Sequence, residues 1–179
     1  IIGSKGVEKI IELDLDTEFT NEIKLCYKFA TKHMNLRDYQ SECINDALKY
    51  YQKSSRHKNF QLQWCCGLGK TRSACSILKL GYFKSICIGL PSILLVEQFY
   101  QEIKLFFRDV DILKVGGISY QEGDSKGKKV TNKEIKNYLS SDEEYKIVLT
   151  TYHSSKKIMI EGFKFDICVA DEAHHLESK

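Results

Sequence analysis

From residue 36 onward the chain alternates short apolar runs with stretches whose apolar residues recur at helical spacing, and that alternation leaves few folds open. Residues 36–51 set Tyr39, Cys43, Ile44, Ala47, Leu48 and Tyr51 on one stripe of a helix. The run 60–64 is β-prone and leads into a glycine loop, after which a helix is expected to about Leu80. Strands are then expected at 85–89, 112–115, 146–150 and 165–170, helices at 93–107 and 132–139, and a weaker helix at 154–160. Strands separated by helices imply an α/β fold with a mostly parallel sheet covered by helices on both faces. Ligands of such sheets bind at the carboxyl ends of the strands, so the chemistry is sought there.

Composition narrows the class without naming it. A chain of 179 residues with 42% apolar and 28% charged residues suits one compact globular domain. A net charge of +3 is too mild to single out a nucleic-acid partner, so that inference must rest on motifs. The longest apolar stretch, 86–96, is broken by Pro91 and Ser92 and falls far short of the roughly 20 residues that span a bilayer. No basic leader opens the chain, so an intracellular protein without a membrane partner is expected. Seven cysteines, with neither a CxxC pair nor zinc spacing, read as reduced and mostly buried thiols. Cys65 and Cys66 carry a second reading, a thiolate stabilised beside loop amides. Residues 1–33 hold no motif and read as a flanking accessory segment ahead of a domain at 34–179. The region 116–136, with Lys126, Lys128 and Lys129, reads as a solvated loop, or more sharply as a basic flap on phosphates.

The chemistry gathers in two motifs. In Trp64-Cys65-Cys66-Gly67-Leu68-Gly69-Lys70-Thr71, two glycines let backbone amides approach an anion closely, and the helix that follows adds its unpaired amino-terminal amides. Cys66, Gly67, Leu68, Gly69, Lys70, Thr71 and Arg72 are therefore the expected phosphate-binding residues, with Lys70 reaching the β- and γ-phosphates of ATP and Thr71 on Mg2+. Trp64 stands where the full GxxxxGK[ST] pattern has glycine, which points to an unusual first turn. About a hundred residues later, Asp171 and Glu172 end an apolar strand and are followed by Ala173, His174 and His175. Asp171 fits a water-bridged ligand of Mg2+, and Glu172 fits the group that polarises the attacking water.

With these residues in view, the chain resembles the superfamily 2 helicases and translocases, specifically the DEAH-type group that includes restriction-enzyme motor subunits. Leu36-Arg37-Asp38-Tyr39-Gln40 is similar to that family's adenine-recognition motif, with Arg37 in it and Gln40 as the base reader. Pro91-Ser92-Ile93-Leu94-Leu95-Val96-Glu97-Gln98 and Thr150-Thr151-Tyr152 resemble its two nucleic-acid-contact segments. Pro91, Ser92, Gln98, Thr150 and Thr151 are carried over as contacts to DNA or RNA. Alone, each segment reads as a cap or a turn; their order and spacing favour the groove. Asp171-Glu172-Ala173-His174 matches the DEAH signature residue for residue, and the resemblance makes His174 a coupling residue beside the catalytic Lys70, Asp171 and Glu172.

The resemblance implies a RecA-like phosphate-loop domain, truncated after the DEAH strand, that works as the ATP-binding lobe of a helicase. It also implies a second RecA-like domain beyond this sequence. That domain supplies an arginine finger worth on the order of 10³–10⁵ in rate in other phosphate-loop enzymes, so slow hydrolysis by this chain alone is expected. Rival readings are a duplex translocase without strand separation and a nucleotide-binding interaction module without motor activity. A small-molecule kinase leaves Gln40 and the 91–98 segment unexplained.

Overall fold

A computed structural model of the chain describes residues 36–52, 59–116, 129–159 and 163–176. Two compact units divide it, Ile1–Gly81 and Tyr82–Lys179, and each is treated by itself. The accessory segment 1–33 and the lysines at 126 and 128 lie outside the described residues.

The first unit holds helices α1 (Asp38–Gln52) and α2 (Lys70–Leu80). Helix α1 starts at Arg37, whose carbonyl accepts from the Ser41 amide. Gln40 Oε1 reaches back to accept from the Arg37 amide at 2.9 Å, half of a capping box. Asp38 in the first turn and Lys49 in the last suit the helix dipole. The expected apolar stripe is present, with Cys43, Ile44 and Ala47 buried, but Tyr39 is 37% exposed and turns toward the loop after residue 64. Residues 60–64 form no strand. Their side chains do alternate, Phe60, Leu62 and Trp64 half-buried and Gln61 and Gln63 exposed, but the backbone belongs to no sheet. Alternation identifies a strand's side-chain pattern, and only a hydrogen-bonded neighbour makes it a strand.

The second unit is a fully parallel four-stranded sheet built from β1 (Ser85–Leu90), β2 (Ile112–Val115), β3 (Lys146–Thr151) and β4 (Ile167–Ala170), in the order β2-β3-β1-β4. Central strands β1 and β3 are buried almost throughout, whereas β2 is buried only at Ile112 and Val115 and β4 only at Ile167. Helices cover both faces, and the register proves it. Cys87 pairs with Val148 and Val148 with Leu113, and this face packs Cys87, Val115 and Val148 against Ile135 and Leu139 of α4 (Asn132–Leu139). The opposite face carries Lys114, whose Nζ lies 2.8 Å from Glu97 and 4.2 Å from the Tyr100 ring centre on α3 (Ile93–Phe106).

Helix starts follow their caps. Thr131 and Glu134 form a reciprocal capping box on α4, and the Ser92 hydroxyl caps α3. The weak helix expected at 154–160 is instead a 3-10 turn, Tyr152–Ile158, begun by the Thr151 hydroxyl accepting from the Ser154 amide. Strand β4 starts at Ile167 rather than 165 because Asp166 is engaged as a tie: its carboxylate accepts from the amides of Lys84 and Ser85 at 2.9 and 2.8 Å. Among the described residues no helix is long and apolar enough to cross a membrane.

Candidate functional site

In the first unit, the loop before α2 is shaped by two glycines with φ of +80° at residues 67 and 69. A Cβ added at Gly67 would meet nothing within 4 Å, so that side of the loop is open; at Gly69 it would collide with Gln40 Nε2. Gly69 is the N-cap of α2 and has no side chain to cap it, which leaves the first amides of the helix for an outside acceptor. Lys70 folds back, its Nζ donating to the Trp64 carbonyl at 3.0 Å. The puzzle of Trp64 resolves at the backbone: among described non-glycine residues only Tyr82 and Glu172 have positive φ, so position 64 adopts a conformation that does not need glycine. Its ring meets Tyr39 edge-on at 5.2 Å. Cys66 is exposed, and Leu68, Thr71 and Arg72 are half-buried.

The adenine-motif residues reach this loop. Gln40 Nε2 donates to the Leu68 carbonyl at 2.9 Å, and the Tyr39 hydroxyl donates to the same oxygen at 3.1 Å. Arg37 Nη1 in turn donates to the Tyr39 hydroxyl at 3.2 Å. Gln40 thus spends one lone pair on the Arg37 amide and one N–H on the Leu68 carbonyl, and retains one of each.

In the second unit, the register Gly89↔Thr150, Gly89↔Ala170 and Val115↔Thr150 brings the carboxyl ends of all four strands level. Ser92, Thr150, Thr151, Asp171 and Glu172 all belong to that end. The Ser92 Oγ accepts from the Leu95 amide at 3.3 Å, and Pro91 beside it is half-buried. Thr150 and Thr151 are buried, and the Thr150 hydroxyl donates to the Thr151 carbonyl. Gln98 is exposed on α3.

The Asp171 amide donates to the Gly89 carbonyl at 3.0 Å, extending the β1–β4 ladder into the acidic motif. Tyr152 donates its hydroxyl to the Asp171 carbonyl. Burial, then the carboxylates of Asp171 and Glu172, push the Tyr152 hydroxyl up to about 12, so it stays a donor across the neutral range. Its ring occupies the space beside Gly89, where an added Cβ would stand 2.8 Å from it. Glu172 adopts φ of +53°, a left-handed conformation that costs a non-glycine residue of order 1–3 kcal/mol. His174 Nδ1 lies 3.4 Å from Glu172 Oε2.

Two residues escape a reading of the sequence. Tyr39 falls within the apolar stripe and the adenine-motif segment, and Tyr152 within a hydroxyl-bearing segment, but neither hydroxyl has a role of its own there. For Tyr152 the signal is Gly89, a glycine inside an apolar strand, which marks close approach by another group. Among described residues no group of three or more His, Cys, Asp or Glu could hold a metal. Mg2+ bound beside substrate phosphates needs only one or two carboxylates, fewer than such a group. None of the six described cysteines is in a disulfide; Cys43, Cys75 and Cys87 are buried and Cys65, Cys66 and Cys168 exposed, so fewer are buried than expected.

A family model described as "Type III restriction enzyme, res subunit" matches residues 33–179. "Transcript termination protein A18" of Yaba-like disease virus is 32% identical over 88 residues, 48% of this chain and 18% of the viral protein. Among solved structures, a nuclease-deletion mutant of the Type ISP restriction-modification enzyme LlaGI, in complex with a DNA substrate mimic, superposes with a TM-score of 0.59 at 24% identity. That likeness covers 78% of this chain and 15% of the other, and it establishes the fold as an α/β domain of RecA-like type. The chain therefore spans less than a fifth of either protein.

Proposed function

Because the chain belongs to the type III restriction enzyme res subunit family, and so holds a helicase-like domain of RecA type, we propose that it is the ATP-binding lobe of a nucleic-acid-dependent motor of the DEAH group. The observation that carries this reading is the loop at 67–70: two left-handed glycines, an open side at Gly67 and an uncapped helix start beside Lys70. Such a loop suits a triphosphate, with amides and the Lys70 ammonium replacing the water around its anionic oxygens.

In this reading Lys70 leaves the Trp64 carbonyl for the β- and γ-phosphates. The remaining N–H and lone pair of Gln40 meet the adenine edge. Glu172 accepts a proton from, or orients, the attacking water, and the neighbouring His174 steadies its carboxylate. Thr71 and Asp171 are the residues that would hold Mg2+, which supplies positive charge against the phosphate oxygens. Ser92, Thr150 and Thr151 belong to the strand ends where the resemblance places DNA or RNA; the Thr150 hydroxyl spends its hydrogen on the Thr151 carbonyl, whereas those of Ser92 and Thr151 accept from backbone amides and keep theirs to donate.

Of the two polymers, DNA gains support from the restriction-modification neighbour, whose structure holds a DNA substrate mimic. ATP turnover by the intact protein, measured alone and with single-stranded DNA, duplex DNA and RNA, tests the reading. Stimulation by one polymer identifies the track, and a strand-displacement assay on that polymer separates a helicase from a translocase. Absence of nucleotide binding would overturn the motor in both forms.

A further inference from the structure

Two neighbouring side chains of α1, Tyr39 and Gln40, donate to one carbonyl oxygen, that of Leu68, at 3.1 and 2.9 Å. A carbonyl has two lone pairs, and here both are taken by side chains from a single helix turn. In a planar trans peptide the C=O and the following N–H point in opposite directions. Fixing the Leu68 carbonyl toward α1 therefore turns the Gly69 amide away from α1. Gln40 Nε2 also fills the space that a Gly69 side chain would take, so an anion can approach that amide only from the far side.

We propose that Tyr39 is a positioning residue for the phosphate loop, acting with Gln40 as a clamp that aims the Gly69 amide at the triphosphate whatever base is attached. The proposal rests on the loop being a phosphate cradle. Tyr39 is itself held in place, its hydroxyl accepting from Arg37 Nη1 at 3.2 Å and its ring standing edge-on to Trp64 at 5.2 Å. The bulky residue in the loop's usual glycine position thereby gains a role, bracing the ring whose hydroxyl holds Leu68. Gln40 is then divided between two roles, one N–H on the loop and one left for a base.

The proposal is tested by Tyr39→Phe in the intact protein, a surface change that removes one hydroxyl and keeps the ring on Trp64. Binding of ATP, GTP and inorganic tripolyphosphate is measured beside a thermal melt. Loss of one neutral hydrogen bond predicts about fivefold weaker binding of both ATP and tripolyphosphate, an unchanged ATP-to-GTP ratio and a melting temperature lowered by no more than a few degrees. In turnover, KM for ATP rises while kcat holds, because the loop binds ground state and transition state alike. Unchanged tripolyphosphate affinity, whether or not ATP binding falls, overturns the clamp, since the hydroxyl then serves the base or the fold. If the wild-type protein binds neither ATP nor tripolyphosphate, the phosphate-cradle reading itself fails. If it binds both and Tyr39→Phe binds them equally well, only the clamp fails.

Discussion

The glycine loop and the acidic strand end are fixed by different means. The loop hangs on side chains: Tyr39 and Gln40 on the Leu68 carbonyl, and Lys70 on the Trp64 carbonyl. The acidic end is anchored by backbone, since the Asp171 amide continues the β1–β4 ladder onto Gly89, and one side chain, Tyr152, finishes the turn. In the proposed function the Lys70 bond is exchanged as a ligand enters, while Tyr39 and Gln40 keep their hold on Leu68. The backbone that carries Asp171 is part of a ladder and gives its side chain a fixed base. Adaptable geometry suits binding, and fixed geometry suits the group that must meet a water.

The largest effect that would sharpen this contrast is at Glu172. Glu172→Gln should lower kcat about 10²–10⁴-fold while ATP binding persists, as read by single-turnover kinetics and equilibrium titration. An equal fall in both would place Glu172 in binding and erase the distinction. Lys70→Ala comes next: turnover should fall on the order of 10²–10³-fold, and here binding should weaken too. Gly89→Ala strikes the ladder side without touching a charged group. Its Cβ would stand 2.8 Å from the Tyr152 ring, so about 1–3 kcal/mol of stability should be lost in a denaturant melt. Tyr152→Leu in the same chain should recover part of that loss. The smallest effect is at Ser92, where Ala should cost about 1 kcal/mol and Gly only a few tenths, as expected of a helix cap. Ser92→Gly that weakens polynucleotide binding severalfold would assign the hydroxyl to the nucleic acid as well.

Most of the architecture is legible in the sequence because period and punctuation agree. Residues 112–115 and 132–139 are bounded as expected, the second by its Thr131–Glu134 capping box. The run 60–64 misleads because alternation reports side-chain exposure and is silent about a pairing partner. The 3-10 turn at 152–158 misleads because Ser, His and Lys set no strong period and Thr151 caps it two residues early. For the site, the loop glycines are legible as backbone requirements. Strain at Glu172 is not, since no residue type there demands a left-handed conformation. Nor is the Tyr39 clamp, because a tyrosine on an apolar stripe reads as ring and not as hydroxyl.

Gly89 and Tyr152 share one volume: the ring lies where a side chain at 89 would go. Two positions 63 residues apart are thus bound into a single size constraint. Over evolutionary time a larger residue at 89 can settle only where 152 has shrunk, and the shrinkage removes the hydroxyl that holds the Asp171 carbonyl. Related sequences should therefore vary at these two positions together, with glycine accompanying the aromatic and a methyl-bearing residue accompanying its loss.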